Sequence, residues 1–139
     1  MKKIIIPIIV VVVIAALIGG SYLLIDSLFP KADPINIPSA SSVVSMTVIK
    51  NASRQNGEQK AIASTDIDGI LSLLSEAEPT RKMSVQDSPD AKTYYEIAVK
   101  TDERTYYFYA YEEGGIYYIE IPYEGIYTTD KGFLELLSN

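Results

Sequence analysis

The chain has 139 residues and a formal net charge of −6, and it contains no cysteine, histidine or tryptophan. That composition removes disulfides, thiol nucleophiles, thiolate and imidazole metal sites, lipid attachment on cysteine, and the usual general base near neutral pH. Setting aside Lys2 and Lys3 leaves 10 basic against 18 acidic residues, a balance that repels phosphate backbones and argues against nucleic acid as a partner.

From Ile4 to Ile25 no charged side chain interrupts the sequence for about 22 residues, which at 1.5 Å per residue crosses a hydrocarbon core of roughly 30 Å. Residues 1–25 are therefore predicted to form a transmembrane anchor. A cleaved signal peptide is the competing reading, because Gly19-Gly20-Ser21 supplies small residues. The apolar stretch is too long for one, and Leu17 and Tyr22-Leu23-Leu24 flank the small residues without an Ala-x-Ala pattern. Lys2 and Lys3 hold the N-terminus on the cytoplasmic side, so the chain is expected to be a single-pass protein of the cell membrane with its C-terminal domain outside.

Residues 26–42 carry Pro30, Pro34 and Pro38 among small polar residues and read as an extended linker. Residues 43–139 are predicted to form an extracytoplasmic α+β domain. Val43 to Lys50 alternates as a strand with Val44, Met46 and Val48 on one face. Asn56-Gly57 signals a turn back into a short strand around Lys60 to Ala63. The period then changes, because Ile67, Ile70, Leu71 and Leu74 follow helical spacing behind a capping pair, Thr65 and Asp68, and Pro79 closes the helix. Strands at Thr93–Lys100, Thr105–Glu112 and Ile116–Ile121 form an antiparallel meander, and Thr128 or Thr129 caps a last helix with an apolar stripe of Phe133, Leu134, Leu136 and Leu137. The predicted fold is a small antiparallel sheet, the meander plus one or two N-terminal strands, with two helices on one face.

Of the 11 tyrosines, all but Tyr22 lie between Tyr94 and Tyr127, on or beside the meander. A turn at Asp102-Glu103 sets Tyr94 opposite Tyr111, Glu96 opposite Tyr109 and Ala98 opposite Tyr107. Closing the second hairpin at Glu113-Gly114 sets Tyr109 opposite Tyr118 and Tyr107 opposite Glu120. One face thus collects Tyr94, Tyr107, Tyr109, Tyr111 and Tyr118 with Glu96, Lys100 and Glu120. The other collects Tyr95, Ile97, Val99, Tyr106, Phe108, Tyr117, Ile119 and Ile121 and is the core. The tyrosine face has two readings: cross-strand pairs that stabilise an open surface with their hydroxyls in water, or an aromatic platform for a ligand.

Thr80-Arg81-Lys82-Met83-Ser84-Val85-Gln86-Asp87-Ser88-Pro89 and Tyr117-Tyr118-Ile119-Glu120-Ile121-Pro122-Tyr123-Glu124-Gly125-Ile126-Tyr127 together resemble the signature of a family of small, membrane-anchored Gram-positive surface proteins known only as a domain of unknown function. The resemblance runs from about Ile35 to the C-terminus, with Ile121 where the pattern has a polar Gln. It implies a location and a fold, and no activity.

As chemistry the motifs are sparse. Ser84 belongs to neither a Gly-x-Ser-x-Gly elbow nor a Ser-x-x-Lys pair, and Gly114-Gly115 lacks the lysine and helix of a phosphate loop. The expectation is a protein that is not an enzyme, takes no cofactor and binds no metal. It would recognise a protein or cell-wall component through Tyr94, Tyr107, Tyr109, Tyr111 and Tyr118, with Arg81, Gln86 and Asp87 of the polar loop as further candidates. An accessory or immunity-type protein with specificity in its anchor helix is the alternative. A small hydrolase, third, would need Ser84, Lys82 and Asp87 to share one pocket.

Overall fold

In the computed structural model, which describes residues 2–52, 55–62 and 64–138, the chain divides into two compact units, Met1–Lys31 and Ala32–Asn139. The first holds helix α1 (Lys2–Leu28). Its segment Ile8–Leu28 is 21 residues long, apolar enough to cross a membrane, and unburied. Ser21 Oγ donates to Ile18 O at 2.7 Å, so this hydroxyl is satisfied within the helix, as a hydrocarbon surrounding would require.

The second unit is a seven-stranded antiparallel sheet with two helices. In chain order it runs β1 (Val43–Ala52), β2 (Gln55–Ala61), α2 (Ser64–Ser75), β3 (Glu78–Pro79), β4 (Thr93–Thr101), β5 (Thr105–Glu113), β6 (Ile116–Ile121), β7 (Gly125–Thr129) and α3 (Lys131–Ser138). The strand order is β2-β1-β4-β5-β6-β7-β3. This is the predicted α+β class, with a wider sheet than predicted.

Both helices lie on one face. Ile67, Ile70, Leu71 and Leu74 of α2 and Phe133 and Leu137 of α3 join Met46, Val48, Ile97, Val99, Phe108 and Ile119 in one buried cluster. Each such side chain contributes about 1.5–3 kcal/mol when fully buried. Val44 is 57% exposed, although simple alternation puts it beside Met46. The register of β1 against β4 slips between Val43 and Ser45, and that bulge turns Val44 outward.

Several boundaries differ from the sequence reading for identifiable reasons. Ala52 pairs with Gln55, so Asn56-Gly57 lies inside β2 and not at its turn. Helix α3 is capped by Asp130, whose Oδ1 accepts from Phe133 N at 3.1 Å; Thr128 and Thr129 belong to β7 and are unavailable as caps. Pro79 does not close α2, which ends at Ser75; it lies in β3 at the sheet edge, where a missing N–H is tolerated. The proposed cap Thr65 lies outside the residues whose side chains are described.

The largest difference concerns residues 26–42. From Ala32 onward they belong to the folded unit. Ala32 N donates to Thr80 O at 3.1 Å, Tyr127 Oη donates to Asp33 O at 2.7 Å, and Pro38 is buried. Ile35 and Ile37, one strand period apart, pack against the core cluster. The segment has no helix or strand of its own over residues 30–39, and its alternate isoleucines tie it down. The connection between α1 and the folded unit shrinks to Phe29–Lys31.

At Gly125 this segment lies close against the sheet, since a Cβ there would stand 2.6 Å from Ala32 Cβ. Gly125→Ala is expected to lower stability by about 1–3 kcal/mol through overpacking, read as a lower thermal midpoint of the full chain in detergent. Adding Ala32→Gly should recover most of that loss. An unchanged midpoint in Gly125→Ala would show that residues 32–38 do not close on β7.

Candidate functional site

The second face of the sheet carries the tyrosines, and the first hairpin places them as predicted. Tyr94 pairs with Tyr111, Glu96 with Tyr109, and Ala98 with Tyr107. The second hairpin keeps the predicted face but is two residues out of the predicted register. Tyr111, not Tyr109, lies opposite Tyr118, and Glu120 lies opposite Tyr109. The cause is the turn. Gly114 and Gly115 have φ of 61° and 81°, and a two-residue hairpin turn of that kind needs left-handed backbone at both positions. The turn therefore takes the Gly-Gly pair and leaves Glu113 in the strand.

This face is not open. Tyr94, Tyr109, Tyr111 and Tyr118 are each 6–8% exposed and form a second buried cluster with Ala91 and Ile126 packed against it. The Tyr94 and Tyr109 rings meet edge to face at 5.7 Å, and Tyr111 and Tyr118 lie tilted at 5.5 Å. Their shelter is a strap, residues 80–92, that leaves β3 and crosses to β4. Thr80 N donates to Ile126 O and Ile126 N donates to Lys82 O, both at 3.1 Å. Lys82 Nζ then lies 4.7 Å from the Tyr118 ring centre and donates to its hydroxyl at 3.4 Å. Ser84 is buried and donates to Glu120 Oε1 at 2.7 Å, while Tyr111 Oη donates to Oε2 of the same carboxylate at 3.2 Å. Glu120, 2% exposed, thus has both oxygens satisfied by O–H donors.

The strap's outer side differs from its inner side. Met83 and Val85, flanking buried Ser84, are 61% and 78% exposed. Arg81, Gln86 and Asp87 are exposed as well. Asp87 Oδ1 accepts from Tyr123 Oη at 2.8 Å. Tyr123 occupies the third position of the turn Ile121–Glu124, closed by Glu124 N to Ile121 O at 3.1 Å, with φ of 62° behind Pro122. That is a type II turn carrying an aromatic residue where glycine normally sits, a conformation costing about 1–2 kcal/mol.

Of the five predicted tyrosines, Tyr107 alone is exposed, at 48%. It borders a shallow concavity of about 190 Å³ shared with Arg104, Pro122 and Glu124. On the same face, toward the β2 edge, Lys100 is exposed and Thr47, Ile49, Glu96 and Ala98 are half-buried. The strap therefore shelters Tyr94, Tyr109, Tyr111 and Tyr118 and leaves Tyr107 and Lys100 uncovered. Ser84, Lys82 and Asp87 each bond a different partner, Glu120, Tyr118 and Tyr123 respectively. The pairing of Ser84 with Glu120 went unseen in the sequence, where only the placement of a carboxylate among tyrosines hinted that something must satisfy it.

The comparisons agree with this outline. The profile of the family DUF5301, described as "Domain of unknown function (DUF5300)", matches residues 31–128. Its first residue adjoins Ala32, where the folded unit begins. An NMR structure of a protein from Ruminococcus gnavus is similar with a TM-score of 0.61 and 34% identity, over 73% of this chain and 97% of that one. No curated protein matches.

Burial pushes the Tyr109 and Tyr111 hydroxyls far above the ordinary tyrosine value of 10.0, and the Glu96 and Glu120 carboxylates beside them add to it. A raised value in the fold means that the folded state holds these protons more tightly than the unfolded one. The contribution to stability is whole below pH 10.0 and falls as pH rises beyond it. An alkaline titration followed by near-ultraviolet circular dichroism is expected to show tertiary signal lost above that value. Tyr109→Phe and Tyr111→Phe should each flatten the slope. An identical slope in both variants would mean that these hydroxyls are not held in a dry layer.

Proposed function

Because the chain belongs to the DUF5301 family of domains of unknown function, we propose that it acts by binding, as a domain held outside the cell by α1 and recognising a protein or cell-wall component through the open part of its tyrosine face. The observation that carries this reading is the unequal cover of that face. Four tyrosines are buried in the layer beneath the strap and serve the fold, whereas Tyr107 is turned to solvent, with Ala98 opposite it and Glu96 and Lys100 diagonal to it on β4. Tyrosine presents a large contact area with few rotors to freeze, and a flat strand surface suits a broad partner better than a small molecule.

Support for the anchored arrangement comes from α1, which is long and apolar enough to span a bilayer. On this reading the domain works by recognition, with no catalytic step.

The test is recovery of cross-linked partners from intact cells with the tagged full-length chain. Tyr107→Ser is expected to lose the specific partner, while Ile116→Ser, at an exposed site on β6, retains it. Equal recovery by both variants would overturn the proposed surface. Mature protein beginning after Ser21 would overturn the anchored arrangement.

A further inference from the structure

The sheet has a notch where β5 begins and β6 has already ended. β5 pairs with β4 from Thr105 to Tyr111, but with β6 only from Tyr109 to Glu113, because the chain leaves β6 at Ile121 for its type II turn. Thr105, Tyr106 and Tyr107 therefore have a strand beside them on one side only. Successive residues of a strand aim their N–H and C=O to alternate sides, so at least one of the three presents both groups to the notch. The concavity of about 190 Å³ occupies this place, with Arg104 and Glu124 in its walls. Arg104 is held there by Thr101, which is 7% exposed: Thr101 N and Oγ1 both donate to Arg104 O at 2.9 Å, and Arg104 N donates to Thr101 Oγ1 at 3.2 Å. The guanidinium carbon lies over the Tyr106 ring, 4.1 Å from its centre. A guanidinium on a ring face keeps its in-plane N–H groups for a carboxylate. Neither Arg104 nor Glu124 is in an ion pair among the described residues, and Asp102 and Glu103 are exposed beside Arg104.

We propose that this notch takes the carboxyl-terminal residue of an extended peptide whose last side chain carries an ammonium group, a reading that rests on the binding function above and names its ligand. The terminal carboxylate meets the Arg104 guanidinium, the peptide main chain bonds the free stretch of β5 as an added strand, and the ammonium meets Glu124. Charge selects the occupant. A simple anion would face Glu124, Asp102 and Glu103 as well as Arg104, and a simple cation would face Arg104, whereas a ligand carrying both charges satisfies both walls. The unpaired main-chain groups of β5 select a peptide among such ligands, because a peptide brings a matching donor and acceptor. A space of about 190 Å³ admits the end of a chain and no folded surface. Tyr107, 48% exposed at the rim, packs against the residues that precede the terminus and joins the notch to the tyrosine face.

The probes are acetyl-Ala-Ala-Lys with a free carboxylate, the same peptide as its C-terminal amide, acetyl-Ala-Ala-Ala with a free carboxylate, and free lysine. Each is titrated into the full chain in detergent micelles while nuclear magnetic resonance follows the amides of Thr105, Tyr106 and Tyr107 and the side-chain N–H of Arg104. The first peptide is expected to shift these resonances saturably, and each of the other three to bind about tenfold more weakly or worse. Arg104→Gln should erase the preference for the free carboxylate over the amide, and Glu124→Gln the preference for lysine over alanine. Both side chains are exposed, and the hydrogen bonds at these positions are made by the main chain, so the variants keep the fold. Equal binding of the carboxylate and amide forms, or shifts that avoid residues 104–107, would overturn the proposal. Free lysine binding as tightly as the peptide would overturn it too, since the added strand would then contribute nothing. No saturable binding by any probe, with partner capture from cells still dependent on Tyr107, would overturn the ligand and leave the binding surface standing.

Discussion

A carboxylate taken out of water has to find donors, and in this fold Glu120 finds them in Ser84 on the strap and Tyr111 on the neighbouring strand. Leaving such a group buried without them would cost several kcal/mol, so the bond to Ser84 fixes where the strap crosses the sheet. The rest of the second face follows from that crossing. Once Ser84 points inward, Lys82 reaches the Tyr118 ring, and Met83 and Val85 on either side of Ser84 must point out. Among the described residues the sheet has helices on one face, and the strap does for part of the other face what a helix does for the first.

The segment from Ala32 to Pro38 closes the opposite flank. Tyr127, 2% exposed, belongs to the core face, and its hydroxyl bonds the carbonyl of Asp33. Gly125 has no side chain at the place where Ala32 approaches, and Thr80 receives the Ala32 amide. The two faces of β7 are thus covered by irregular chain, the strap at Ile126 and residues 32 and 33 at Gly125 and Tyr127. That explains why a strand as short as Gly125–Thr129 is well buried at Gly125 and Tyr127.

Much of this was legible in the sequence, and what was not has a common cause. The two-residue period sorted the meander into its two faces, and the tight turn at Asp102-Glu103 fixed the first register residue by residue. A turn moved by one residue at Gly114-Gly115 changes register by two, which preserves the face; the composition of each face survived while the pairing did not. Ser84 looked like a loop residue because its partner is 36 residues away, and Ile35 and Ile37 looked like linker because their partners are in a core that local pattern cannot assemble. Periodicity reports which side of a strand is apolar. It is silent about which irregular segment will come to lie on the other side.

That silence matters most for the tyrosines. A row of tyrosines on a sheet invites the idea of a platform, yet Tyr94, Tyr109, Tyr111 and Tyr118 already spend their rings on one another and their surface on the strap. A ligand at those rings would have to displace the Ser84 bond and hydrate Glu120, a larger penalty than the stacking of one or two rings returns. On the binding reading proposed above, recognition belongs where the face is unsheltered, around Tyr107.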